Sequence, residues 1–189
     1  GETTARNGEW KPGPGHDFFE ALENALGKLP FVAEDLGDID DAVYELRDAF
    51  RMPGMKVLQF AFGDDMPRNT HIPHVYASTF LAYTGTHDNN TVIGWYDQEA
   101  DAGTKRRLEQ YIGKPVNRDN VHVELSRLAY ASVANIVILP LQDVLGLDGN
   151  ARMNKPSSSE NNWAWRLLPG QLQARAEHHL KEWVYIYNR

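Results

Sequence analysis

A chain of 189 residues has the length of one domain and can bury a sizeable core, and its 42% hydrophobic and 24% charged residues are a globular composition. A net charge of −7 without a basic stripe argues against a nucleic-acid partner, and no run of about 18 apolar residues is present to span a membrane. The absence of cysteine excludes disulfides and thiolate metal sites and fits a reducing, cytoplasmic compartment.

Residues 1–6 lack the charged-then-apolar pattern of a signal peptide and read as a cut through a longer sequence. The Gly- and Pro-rich residues 1–15 predict a loop. Asp17 is then placed to cap a helix in which Phe18, Phe19, Leu22, Ala25 and Leu26 share one face, stopped by Gly27. Leu29-Pro30-Phe31-Val32-Ala33 is too short for a helix and predicts a buried strand delivering Glu34 and Asp35 at its end. A second helix opens at Asp38 and ends before Pro53-Gly54. The nearly continuous apolar run 56–62 predicts a second strand, buried on both faces as parallel strands are.

A polar loop over 63–74 carries Asp64, Asp65, Asn69, His71 and His74. A third strand over 80–84 ends at His87-Asp88, and Val92-Ile93-Gly94-Trp95-Tyr96 begins a helix. Helices follow over 101–112 and 120–133, the second with Val121, Leu125, Leu128, Ala129 and Val133 in phase. A fourth strand runs over 134–141, then a polar loop over 149–165 and a terminal helix over 171–187. Strand-helix alternation with strands of this kind predicts parallel α/β architecture. Four such units make half of an eightfold barrel, and half a barrel would leave two unpaired parallel edges. The chain is therefore expected either to belong to something longer or to pair with another copy of itself.

In a parallel barrel, Glu34 and Asp88, each following a strand, would sit at the C-terminal rim and could face one cleft. Converging carboxylates suit glycosidic chemistry: one stays protonated to serve the leaving oxygen, the other stays anionic beside an oxocarbenium-like centre. Taken alone, either acid reads more readily as a helix cap.

The joint pattern goes further. Phe31-Val32-Ala33-Glu34-Asp35-Leu36-Gly37, Pro53-Gly54-Met55-Lys56-Val57-Leu58-Gln59-Phe60 and Tyr83-Thr84-Gly85-Thr86-His87-Asp88-Asn89 closely resemble the 4-α-glucanotransferases (amylomaltases, or disproportionating enzymes) of glycoside hydrolase family 77. Asn154-Lys155-Pro156 with Asn162-Trp163-Ala164-Trp165-Arg166 resembles the segment after the last barrel strand of that family, so the likeness runs from about Trp10 to the end. The resemblance implies strands five to eight of a TIM (β/α)8 barrel, with 1–189 forming one C-terminal part of the catalytic barrel. It implies α-1,4-glucans, as maltooligosaccharides, for substrate, retaining transfer, and neither cofactor nor metal. Glu34 matches the general acid/base, Asp88 the carboxylate that holds the hydroxyls of the −1 glucose, and His87 the histidine binding the same ring. Asp35 is a weaker match for acceptor-side contacts.

One departure stands out. A retaining enzyme needs a nucleophilic aspartate, in this family within an Arg-x-Asp motif after the fourth strand, and no such motif in a strand context precedes Glu34. The isolated chain is therefore expected to be inactive. A non-catalytic glucan-binding or assembly half barrel, and a hydrolase of the α-amylase clan, remain alternatives.

His71-Ile72-Pro73-His74 lacks a third metal ligand and reads as loop structure. His178-His179 and Lys105-Arg106-Arg107 read as solvated helix faces and Trp95 as packing, while Trp163 and Trp165 are open between packing and sugar stacking.

Overall fold

The computed structural model describes residues 4, 6–9, 11–37 and 39–189, which fall into two compact units, 1–54 and 55–189. Expectations for residues 1–3, 5 and 10 and for a helix start at Asp38 lie outside the described residues.

In the first unit, helix α1 (Gly15–Leu26) begins before Asp17, which sits in its first turn and is not the cap, and Gly27 ends it at φ 76°. No residue of α1 is buried; Phe19 packs on Phe50, with ring centroids 5.1 Å apart. Helix α2 (Asp41–Ala49) is capped by Asp40, whose Oδ1 accepts from the Val43 N–H at 3.1 Å. The strand expected over 29–33 does not form. Pro30 offers no N–H to a ladder, and the backbone bond made across this unit is Ala33 N–H to the Pro53 carbonyl at 2.8 Å.

In the second unit, strands β1 (Met55–Val57), β2 (Leu81–Tyr83) and β3 (Ile136–Ile138) form a parallel sheet in the order β1-β2-β3. Met55 pairs with Leu81, and Leu81 pairs with Ile136. Helices α3 (Val92–Gln98), α4 (Ala102–Ile112) and α5 (Val121–Ala131) connect β2 to β3, and α6 (Leu141–Val144) and α7 (Ala174–Tyr187) follow. The α/β reading with parallel strands and intervening helices holds.

The strands are shorter than the apolar runs predict. After Val57 the chain tightens into a 3-10 turn, Leu58–Phe60, so Leu58 and Phe62 reach the core by curling inward. An apolar run alone does not separate a strand from such a turn. The run at 134–141 likewise breaks at Pro140, which starts α6. Strand β3 is not buried on both faces: Ile136 is 49% and Ile138 43% exposed, since β3 pairs only with β2 among the described residues. Val133 falls beyond the end of α5 and is exposed.

The core joins Leu58, Phe62 and Ile72 to Val92 and Trp95 of α3, Leu108 of α4, and Val121 and Leu125 of α5. Trp95 is thus packing, as expected. Arg107 is no solvated cation: its Nε donates to the Phe62 carbonyl at 2.8 Å and its guanidinium pairs with Asp64 at 2.7 Å. Arg189 closes the far end, donating to the carbonyls of Tyr130 in the last turn of α5, of its C-cap Ser132 and of Ala134 just beyond.

Candidate functional site

Strand β2 ends at Tyr83, and the chain beyond it turns sharply. The Thr86 N–H and hydroxyl both donate to Asn89 Oδ1, at 2.8 and 2.9 Å, and the Asn89 N–H returns to the Thr86 carbonyl at 3.2 Å. At Gly85 a Cβ would lie 2.6 Å from Gln59 Nε2, so a side chain there would push Gln59 off its bond to the Asn90 carbonyl. This closed turn presents His87 and Asp88 outward, their side chains 58% and 49% exposed, with His87 Nε2 3.3 Å from Asp88 Oδ1. The pair predicted from sequence is therefore brought together at a strand end.

A second loop, after α6 and the 3-10 turn Gly149–Ala151, buttresses the first. Asn154 Nδ2 donates to Asp88 Oδ1 at 2.6 Å, and the Asn154 N–H donates to the His87 carbonyl at 3.0 Å. Arg152 reaches across both loops, donating to the Asp88 carbonyl at 2.7 Å and the Asn154 carbonyl at 2.9 Å, with Glu99 at 3.5 Å. Trp163 holds φ at 60°, a strained value for a bulky residue. Its N–H bonds the Met153 carbonyl at 2.7 Å and its ring lies 5.0 Å from that of His87. One oxygen of Asp88 is thus fixed by Asn154, while Oδ2 accepts no hydrogen bond among the described residues. An exposed carboxylate anchored on one side and open on the other can accept hydroxyl protons from a polyol.

Beneath the turn lies Asp143, fully buried. The Thr84 hydroxyl donates to Oδ2 at 2.6 Å and the Val92 N–H donates to Oδ1 at 2.7 Å. Burial, partly offset by these two bonds, pushes the carboxyl up to about 6. Asn90 is tied in beside it, accepting at its carbonyl from Gln59 Nε2 (2.9 Å) and donating to Glu99 (2.9 Å). Gly94 is required here, since a Cβ would lie 2.2 Å from Asn90 Oδ1 and 2.8 Å from the Gly149 Cα.

In the first unit, Glu34 is exposed, its Oε1 accepting from the Leu36 N–H at 3.2 Å, and neighbouring Phe31 and Val32 are exposed as well. Asp35 differs: its side chain is 3% exposed and pairs with Arg47 of α2 at 2.5 Å. That ion pair ties the Glu34 segment to the helix.

Among the described residues no group of three His, Cys, Asp or Glu is placed to hold a metal ion, and no helix is long and apolar enough to cross a membrane. His71 Nδ1 accepts from the Val57 N–H at 3.1 Å, and His74 Nδ1 lies 3.2 Å from the Tyr111 hydroxyl, so both serve the loop's packing. Arg152 and Asp143 carry no motif that marks them in advance. Asp143 does share one signal with Asp88: it is an acid shortly after a strand.

The family model described as 4-alpha-glucanotransferase, glycoside hydrolase family 77, matches residues 1–172. The chain is 48% identical over 191 aligned positions to a 4-alpha-glucanotransferase of Synechocystis sp., covering 100% of this chain and 37% of that protein. It is 43% identical to a 4-alpha-glucanotransferase of Streptococcus pneumoniae, with the same coverage of both. The structure of an amylomaltase from Streptococcus agalactiae in complex with acarbose superposes with a TM-score of 0.93 at 35% identity, over 100% of this chain and 38% of that one. The chain thus spans little more than a third of the length of these relatives.

Proposed function

Because the chain belongs to the 4-alpha-glucanotransferase family, glycoside hydrolase family 77, we propose that it supplies the acid/base and the sugar clamp of an enzyme moving α-1,4-glucan segments between maltooligosaccharides. Its parallel sheet with intervening helices is part of a TIM barrel; we read residues 1–189 as one stretch of it, the place of strands five to eight, of which β1, β2 and β3 form. The observation that carries the reading is the exposed Asp88 carboxylate, held on one side by Asn154 and flanked by His87, in a chain of this family.

In this mechanism Glu34 protonates the departing glycosidic oxygen while an aspartate supplied from outside these 189 residues attacks the anomeric carbon. Glu34 then takes the proton from the incoming sugar hydroxyl. Asp88 Oδ2 accepts from hydroxyls of the −1 glucose and stays anionic beside the positive charge that develops on the ring. His87, kept in place by Trp163, donates to the same sugar. Asp35 contributes through Arg47, by holding the backbone that carries Glu34. The partners are α-1,4-glucans, with self-association through the exposed edge of β3 for the chain on its own. No step requires a cofactor.

In the full-length protein, Asp88→Asn should lower kcat for maltotriose disproportionation at least about a hundredfold, the scale of losing one transition-state contact. Glu34→Gln should do so by a similar or larger factor. Retention of activity by either variant overturns the assignment. Product analysis separates transfer, which elongates acceptors, from hydrolysis, which creates new reducing ends.

A further inference from the structure

Away from His87 and Asp88, a cavity of about 180 Å³ lies where α5, α6 and the first turn of α7 meet, lined by His122, Leu145, Gly146, Gln173, Arg175 and His179 among others. Three of these side chains can carry positive charge. His122, on α5, is largely buried, and its Nδ1 is shut off from solvent with no hydrogen-bond partner among the described residues. The cavity gathers a guanidinium and two imidazoles with no acid among its lining residues.

The walls are held firmly. Gly146 has φ 64°, and a Cβ on it would lie 2.7 Å from His122 Nε2, so only glycine lets the α6 end close on the imidazole. His179 stacks on Trp183, centroids 5.5 Å apart and planes 20° from parallel, which fixes its ring. It is therefore not the solvated residue the sequence suggests, whereas His178 beside it is exposed. Arg175 has no carboxylate partner among the described residues. Burial, then Arg175, then His179 lower the pKa of His122, with Asp119 opposing them. Glu177, the acid in the first turn of α7, is taken by Lys181 at 2.6 Å.

We propose that this cavity is a phosphate site, taking free orthophosphate or the phosphate group of a small phosphomonoester. Donors stand on α5 and on two successive turns of α7. A tetrahedral dianion has acceptors on every side for such donors, while a planar carboxylate presents its acceptors in one plane. The Arg175 fork suits a phosphate edge, and the two imidazoles can each donate an N–H. The site does not depend on the glucan-transfer reading.

The test is calorimetric titration of the full-length protein at constant ionic strength, with orthophosphate in one arm and glucose 1-phosphate in the other. Saturable binding with Kd of about 1 mM or tighter is expected. Arg175→Gln and His179→Gln should each weaken it about tenfold or more. Lys181→Gln, which removes a charge from the same helix outside the cavity, should leave it unchanged. Tighter orthophosphate identifies the free ion as the ligand, and tighter glucose 1-phosphate identifies the ester. In parallel, nitrogen NMR should show the His122 ring resonances moving on addition of the tighter ligand. Absence of saturable binding in both arms, or equal losses in R175Q and K181Q, overturns the proposal.

Discussion

Asp143 lies under the turn that carries His87 and Asp88, one oxygen on the Thr84 hydroxyl and the other on the Val92 N–H. With the folded carboxyl at about 6 and the unfolded one near the ordinary 3.8, the native state binds the extra proton between those values. Its contribution to stability is therefore fullest below about pH 4, falls as pH rises to about 6, and is flat above that. Asp143→Asn keeps an acceptor for Val92 and a donor for Thr84, so it should fold and remove that slope. Asp143→Ala leaves two buried groups unpaired and should cost about 2–5 kcal/mol. Denaturant melts of the full-length protein at pH 4.5 and 7 test both, and an unchanged slope in D143N would count against this account. The exposed residues of the site were legible in the sequence because each follows an apolar run where an α/β fold presents its chemistry. Arg152, Asn154 and Asp143 act on that turn from more than fifty residues away, and no local spacing announces a contact of that kind. The pairing of Asp35 with Arg47 was illegible for the same reason, since only the folded chain brings the two together.

Among the elements, helices were easier to foresee than strands. Helices α4 and α5, of 11 residues each, and α7, of 14, run for about three to four turns, long enough for their pattern to mark them. A three-residue strand such as β1, by contrast, shares its composition with the 3-10 turn that follows it. Burial on both faces is a property of the neighbours and not of the run itself, which is why β3 departs from expectation. Ile136 and Ile138 show apolar surface on a strand whose outer backbone is unpaired within the sheet. Such an edge templates pairing, and a lysine on it blunts the tendency. The 189-residue chain on its own should therefore grow in light-scattering mass with concentration, and Ile138→Lys should suppress the growth. A concentration-independent monomer for the unmodified chain would rule this out.

At the scale of the whole molecule, the chain carries the proposed clamp and acid/base without an Arg-x-Asp motif ahead of them. Retaining chemistry through a covalent glycosyl-enzyme requires that third carboxylate. Incubated with maltotriose, the 189-residue chain should yield neither glucose nor longer oligomers, and clear disproportionation would show that a different residue serves as nucleophile. The likeness in family motifs over nearly all of these residues made the barrel legible despite the short strands. Its division at Gly54 into two compact units left no such trace, because it depends on how contacts cluster and not on any composition shift.

The bonds from Arg152 and from the Asn154 N–H go to main-chain carbonyls, those of His87, Asp88 and Asn154. Hydrogen bonds to the main chain bind the two loops by their course and leave the side chains at the surface available to sugar. It follows that the loops separate as a unit: parting them breaks two bonds to main-chain carbonyls, those of His87 and Asp88, together with the side-chain bond from Asn154 to Asp88. On the proposed reading, a glucan released from Asp88 does not have to wait for that separation, since Asp88 Oδ2 carries none of the bonds between the loops.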